Sequence, residues 1–246
     1  MQQYAKPKKT QMPLDFLDPE KILPDQSKSQ QVYNQLRDAI VDLKFNPGDA
    51  VNKELICETL NISRTPVTEA FARLVEDGLM DVYPQHGSYI SKIRISDVHQ
   101  GSFLRRALEL EAVRTVAHNL TPEQAETLKR NLRYQQNCLD AGDLDDLHRL
   151  DKGMHHMIAE FTGFPRVSRI LESSRGQLDR VRKLFLGDDS ERARETLKEH
   201  ILIVDAIIDH QPEAAVQAMK SHLDKTPAKL ELLMRQQPEL FDNESS

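Results

Sequence analysis

The sequence predicts a mainly α protein in two parts: three helices closed by a small hairpin, then an all-helical antiparallel bundle. Three observations carry this expectation. Aromatics make up only 5% of the 246 residues and Trp is absent, poor material for a β-sandwich core. Apolar residues recur at spacings of three and four along most of the chain. A strand-forming pattern stands out in one place, around the turn Gln85, His86, Gly87.

Residues 1–28 carry Pro7, Pro13, Pro19 and Pro24 without a helical period and read as a mobile tail. A helix fits 29–44, where Val32, Leu36, Ile40 and Leu43 share a face, and Asn46, Pro47, Gly48 stop it. A short helix fits 53–60. A third covers about 65–77, with Val67, Phe71, Leu74 and Val75 as its stripe. After Gly78 the period changes. Val82, Tyr83, Tyr89, Ile90 and Ile93 flank a glycine turn, which reads as a hairpin. Three helices then a hairpin is the winged helix-turn-helix order, expected over 29–94.

From 95 to 236 every segment reads as helix: about 97–119, 122–140, 144–162, 167–186, 190–209 and 213–235. Thr121–Pro122, Gly142, Gly163–Pro165, Gly187 and Gln211–Pro212 separate them. Thr121 with Gln124 forms a capping box, and Pro122 takes the favoured first helical position. Residues 237–246 read as a frayed C-terminal tail.

Bulk chemistry narrows the function. Hydrophobic content of 39% with 29% charge describes a soluble globular chain. Two cysteines, Cys57 and Cys138, suit a reducing cytosol, so a cytoplasmic protein is expected. The start, MQQYAKPKKTQMPLDF, has no apolar core of a secretory signal, and the densest apolar run, ILIVDAII at 201–208, is short and interrupted by Asp205. No membrane partner is expected. Net charge is −6, unevenly spread. Residues 1–29 hold five Lys against four acids, residues 30–94 seven basic against nine acidic, and the remainder 21 against 26. The acidity therefore belongs mostly to the second half, and local placement decides what the first half binds.

The third helix opens with Ser63, Arg64, Thr65, Pro66. A basic residue there opposes the helix dipole. It suits DNA, because the second helix of a helix-turn-helix presents its N-terminal residues to base edges. Arg64 can reach guanine O6 and N7 with two donors, while Ser63 and Thr65 can cap backbone N–H groups or bind phosphate. The segments NPGDAV, LNISRTPVTEAFARLVEDGL and QHGSYI resemble the DNA-binding domain of the GntR family, over residues ~30–93. The resemblance implies that Arg64, Thr65 and Thr68 face the groove and that His86 and Gly87, at the wing tip, approach the minor groove or its phosphates. Lys53 joins this set. Three positions depart from the family pattern. Thr68 stands where Arg is usual, Lys53 where Glu is usual, and Glu54 where Arg is frequent. The usual operator half-site is therefore not transferred.

In the second half, Asp151 and His155 lie one helical turn apart on one face. His200 shares a stripe with Val204, Ile207 and Ile208, and His222 one with Ala215, Ala218 and Met219. Three histidines and a carboxylate on inward faces can converge in a bundle core, as metal sites do. His156 is expected to point outward with His148 and Lys152. The segments FLRRALELEAVRTVAHNL, LDKGMHHMIAEFTG and EHILIVDAIIDHQPEAAVQAMKSHL resemble the FCD domain of the fatty-acid-regulator-like branch of the same family, over ~97–235. That resemblance implies a divalent metal on Asp151, His155, His200 and His222. Zinc is expected first, and nickel, manganese and iron also suit imidazole with carboxylate. It also implies an anionic effector met by Arg105, a residue that could instead pair with Glu109 on the same helix. Phe164 stands where the branch often has Asn.

The expected protein is a homodimeric transcriptional regulator, a repressor on a palindromic double-stranded operator, modulated by a small organic or sugar acid. A metal-responsive regulator is the alternative. No nucleophile motif and no further general base accompany the four ligands, so an enzyme is not expected.

Overall fold

A computed structural model of the chain describes residues 14–186, 190–225 and 230–242. Two compact units emerge: Met1–Val98 with Gly176–Lys183 and Met234–Ser246, and His99–Arg175 with Leu184–Leu233.

In the first unit, helix α1 (Lys28–Val41) starts where the Ser27 hydroxyl accepts from Gln30 N, and it buries Val32, Tyr33, Leu36 and Ile40. It packs on α3 (Arg64–Glu76), which buries Val67, Ala70, Phe71 and Leu74. Between them α2 (Lys53–Leu60) buries Ile56 and Leu60. The helix-turn-helix corner is made by Asn61 in the left-handed region (φ 50), a conformation Asn tolerates better than most residues. After α3, Gly78 is also left-handed (φ 70). Gly78 N donates to Val75 O at 3.0 Å and Leu79 N to Leu74 O at 2.8 Å, a Schellman ending that delivers buried Leu79 to the core.

The hairpin is present as β2 (Met80–Tyr83) and β3 (Gly87–Ile90), antiparallel, with Tyr83 opposite Gly87. A third strand that sequence did not suggest, β1 (Ala50–Val51), pairs on the other side of β3, giving the order β1-β3-β2. Two residues are too few to show alternation. Ile93 lies beyond β3 and bridges Phe241 instead.

Both expected tails differ over their described parts. Leu17 is 3% exposed, and Phe16 meets Phe45 edge-on at 4.9 Å. Gln35 exchanges hydrogen bonds with the Asp18 backbone and Gln31 with the Leu23 backbone, so side-chain amides of α1 bind the strap that precedes it. At the other end Phe241 is 1% exposed, flanked by bonds from Ile93 N to Leu240 O and from Asp242 N to Ile93 O. Residues 1–13 and 243–246 lie outside the described residues. One segment of the expected 95–236 span, 176–183, also packs in the first unit. Buried Arg180 there donates to Ser91 O at 2.9 Å, and Gln177 to Gly78 O at 2.6 Å.

Among its described residues the second unit is built of helices. It comprises α4 (Ile95–Asn119) from His99 onward, α5 (Pro122–Ala141), α6 (Leu144–Phe161), α7 (Pro165–Ser174), α9 (Ser190–Ile208) and α10 (Pro212–Leu223). Its core joins Val113, Leu128, Met154, Ile158, Ile203, Val204, Ile207 and Met219. The capping box of α5 is complete, with Thr121 N bonded to Gln124 Oε1 and Gln124 N to Thr121 Oγ1. The single helix expected over 167–186 is two, α7, which ends at Ser174 with Arg175 as its cap, and α8 (Gly176–Leu186). The last expected helix also divides, into α10 and α11 (Leu230–Gln236), with 226–229 outside the described residues.

Candidate functional site

The reader patch is built on two helix starts, of which the first is capped by a side chain. Asn52 Oδ1 accepts from Glu54 N and Leu55 N, which fixes the first turn of α2. Arg64 begins α3, and Arg64, Thr65 and Thr68 are exposed, as is Ser63 before them. Ser63 is not a side-chain cap, contrary to one expected role. The third helical residue is Pro66, which has no N–H to offer, so its hydroxyl lacks a usual target. Arg64 Nη2 lies 3.1 Å from Glu54 Oε1. Lys53 Nζ lies 3.4 Å from Thr68 Oγ1 and 5.0 Å over the Phe71 ring. Thr68 in turn donates back to Arg64 O at 2.9 Å. At the wing tip, His86 and Gly87 are exposed. Gln85 (φ 64) and Gly87 (φ +112) make the turn, and Tyr89 Oη donates to His86 O at 2.7 Å.

The second site lies inside the helical unit. Asp151 and His155 from α6, His200 from α9 and His222 from α10 are all buried, and each offers a ligand atom within 4.8 Å of the others. All four residues expected from helical phase are therefore brought together. His222 Nε2 stands 3.2 Å from His155 Nε2, and Asp151 Oδ1 stands 3.0 Å from His200 Nε2 and 3.7 Å from His155 Nε2.

Each imidazole is held from behind by its other nitrogen. His155 Nδ1 lies 2.7 Å from Glu109 Oε2, His222 Nδ1 2.8 Å from Glu199 Oε2, and His200 Nδ1 2.7 Å from Gln135 Oε1. Carboxylates and amide oxygens only accept, so the hydrogen bonds of His200 and His222 put the proton on Nδ1; at His155 the carboxylate 2.7 Å away is an ion-pair contact that favours the same tautomer, which turns each Nε2 lone pair inward. The Gln135 amide is oriented from the backbone outward. Asn131 Nδ2 donates to Leu150 O, and Gln135 Nε2 donates to Asn131 Oδ1 at 2.6 Å, leaving Gln135 Oε1 for His200.

Electrostatics keep two of these rings uncharged. Burial lowers the His155 pKa to about 4, against the pull of Glu109. Burial likewise lowers His222 to about 3, opposed by Glu199. Both rings are thus neutral near pH 7, the form that binds metal. Burial would raise Glu109, but Arg105 and then His155 outweigh it and hold the carboxyl well below its usual range. Burial would raise Glu199 too, but hydrogen bonds from His222 and Lys225 bring it to about 2.

These residues fit a divalent cation. Two lone pairs 3.2 Å apart repel unless a positive charge lies between them. His200 Nε2 is buried without a hydrogen-bond partner, its approach to Asp151 lacking hydrogen-bond direction. Ligands about 2.0–2.1 Å from one ion stand roughly 3.3 Å apart in a tetrahedral site, within the span of the observed separations.

Arg105 is 3% exposed, and its Nε donates to Glu109 Oε1 at 2.6 Å. The salt bridge foreseen as its alternative is present, yet Glu109 also leads on to His155. Neighbouring Arg106 pairs with Asp224 instead. His156 is exposed beside Glu160, as expected, but His148 is 6% exposed and does not point outward. It lies one turn before buried Asp151 and nearly two before buried Met154, at the edge of the same inward face. Phe164 caps α7 without a side-chain bond and is 62% exposed. Helical phase missed Glu109, Gln135 and Glu199 as the residues behind the histidines. Glu109 had one signal, its spacing from Arg105; the other two had none.

Comparison with known proteins meets both sites. Residues 28–90 match bacterial regulatory proteins of the gntR family, and residues 102–225 match the FCD domain. The chain is 31% identical over 221 residues to the HTH-type transcriptional repressor RspR of Escherichia coli (strain K12), covering 90% of this chain and 96% of that one. It is 28% identical over 196 residues to the uncharacterized HTH-type transcriptional regulator YdhC of Bacillus subtilis (strain 168), covering 79% and 87%. Among solved structures, E. coli McbR/YncC superposes with a TM-score of 0.75 at 22% identity, covering 83% of this chain and 97% of that one. A putative GntR transcriptional regulator from Rhodococcus sp. RHA1 gives 0.70 at 24% identity, covering 84% and 98%. Likeness at such identities speaks to the fold.

Proposed function

The chain belongs to the GntR family of bacterial regulatory proteins, with an FCD domain, and is a DNA-binding transcriptional regulator; we propose that it is a repressor whose hold on a palindromic operator is set by a small organic or sugar acid bound at the histidine–aspartate cluster. Repression is supported by the name of its E. coli relative, a transcriptional repressor. As a homodimer it sets two α3 helices in major grooves about one helical turn apart. Arg64, Thr65, Thr68 and Lys53 meet the groove, Ser63 meets phosphate, and His86 and Gly87 meet the backbone beside the wing. Among the described residues no helix is long and apolar enough to cross a membrane, in keeping with action on DNA in the cytoplasm.

The observation that carries the effector half is the set of three buried imidazoles with Nε2 turned inward beside Asp151. These four residues hold a divalent ion, zinc first, with nickel, manganese and iron also suited to the donors. When bound, that ion supplies a positive anchor for an effector's oxygens. Arg105, braced through its Nε by Glu109, offers a planar guanidinium to the effector's carboxylate. The site is read as one that binds rather than catalyses, in keeping with relatives that are transcriptional regulators. Regulation then requires only that the acid bind the operator-competent and operator-released states unequally.

A thermal-shift screen of organic and sugar acids, with and without added divalent metal, tests this. An acid that stabilises the metal-loaded chain and releases operator DNA in a gel-shift titration supports it. Operator release by chelation alone, with no acid effective, would make the metal itself the signal. Turnover of a bound acid would replace the binding reading with an enzymatic one.

A further inference from the structure

The reader patch holds an acid where a DNA-facing surface would ordinarily exclude one. Glu54 has its side chain 60% exposed, beside Arg64 at 71%. Exposed ion pairs of this kind add little to fold stability. The backbone under Glu54 is fixed by the Asn52 cap, and Arg64 is the first residue of the recognition helix. The companion pair, Lys53 Nζ at 3.4 Å from Thr68 Oγ1, puts the ammonium of α2 where α3 itself offers only a hydroxyl. The patch thus alternates donor and acceptor: an ammonium beside a hydroxyl, a guanidinium beside a carboxylate.

A carboxylate beside a polyanion is repelled unless it accepts a hydrogen bond from the nucleic acid. In the major groove the base-edge donors are the cytosine N4 and adenine N6 amines, and Glu pairs with cytosine N4. Arg64 has five N–H donors. Two suffice for guanine O6 and N7, which leaves another to keep Glu54 alongside. We propose that Glu54 is a base-reading residue: its carboxylate accepts the N4 amine of a cytosine next to the guanine read by Arg64. Thymine O4 and guanine O6 at that position face the carboxylate with lone pairs and are rejected, and adenine sets the N7 lone pair beside its N6 amine, so the acid lowers affinity for DNA in general and favours cytosine at one base pair.

The proposal rests on the reading of Arg64 as a groove contact, and the test separates the two. The full-length chain, Glu54→Ala, Glu54→Gln and Arg64→Ala are each used to select sites from a pool of randomised duplex, followed by gel-shift titration of singly substituted duplexes. The unsubstituted chain is expected to enrich a half-site with cytosine at one pair beside a guanine. Glu54→Ala should lose the cytosine preference at that pair by about 5-fold or more, and bind the random pool more tightly because a negative charge is gone. Glu54→Gln should shift the preference toward adenine, whose N6 and N7 an amide can bond together. Identical preferences for the unsubstituted chain and Glu54→Ala would overturn the proposal while leaving the reader intact. A change confined to the pair that Arg64→Ala also loses would overturn it too, making Glu54 a positioning residue. If the unsubstituted chain enriches a site that Arg64→Ala still enriches, the groove reading of Arg64 falls and the proposal with it.

Discussion

Glu109 Oε2 lies 2.7 Å from His155 Nδ1, and its other carboxylate oxygen accepts from Arg105 Nε at 2.6 Å. One buried acid therefore braces a metal-ligand candidate and an effector-binding candidate at once. An acid in this position sets the imidazole tautomer and raises the basicity of the inward nitrogen.

Replacing it should be felt twice. Glu109→Gln is expected to weaken divalent-metal affinity by about 10–100-fold, the usual cost of losing such a brace. Competition against a chromophoric chelator measures it. Taking the negative charge from beside buried Arg105 should also lower stability, seen as a fall in Tm. Unchanged metal affinity would mean that His155 is oriented by something else.

Arg105 itself separates charge from shape. Arg105→Lys keeps the positive charge but loses the planar fork, which is not a conservative change at a bidentate site. The expected result is a weaker thermal-shift response to the effector acid, with operator affinity in its absence unchanged. A full response would return Arg105 to the role of a buried salt bridge.

At the reader, Arg64→Ala should abolish specific operator binding while moving Tm little, because its ion pair with Glu54 is exposed on both sides. Loss of a two-donor guanine contact alone amounts to about 1–3 kcal/mol of discrimination. Gel-shift titration against operator and scrambled duplex checks it. Equal affinity for operator before and after substitution would move the reader elsewhere.

Gly78 ends the recognition helix at φ 70, where a side chain is strained, and an added Cβ would stand 3.2 Å from Asp97 Oδ2. Gly78→Ala should cost about 1–2 kcal/mol and lower Tm, without altering which operator sequence is preferred. An unchanged Tm would show that the turn relaxes freely.

Much of this could be read from the chain before folding, and the reason is periodicity. Asp151 and His155 are one turn apart, and His200 and His222 each sit on an apolar stripe, so phase alone turns all four inward. Phase does not say which neighbour a side chain meets, and Gln135 and Glu199 are defined only by the rings packed against them. The strap around Leu17 and the segment at Phe241 have no period at all; the strap is held by side-chain amides of the helix that follows it, and Phe241 by a bridge to Ile93 far back in the chain. The break at Arg175 was hidden because its neighbours on both sides carry helical spacing. The likeness of SRTPV to a known reader pointed to Arg64, whereas its pairing with Glu54 needed the turn at Asn61 to bring α2 beside α3.

The most direct measurement is the divalent-metal content of the purified full chain, by elemental mass spectrometry, beside that of His200→Ala/His222→Ala. Roughly one ion per chain is expected for a single four-ligand site, falling to near zero in the double variant while the helical circular-dichroism signal is retained. Stoichiometric metal in the folded double variant, or none in the unsubstituted chain after purification with added zinc, nickel, manganese or iron, would contradict the assignment of the cluster.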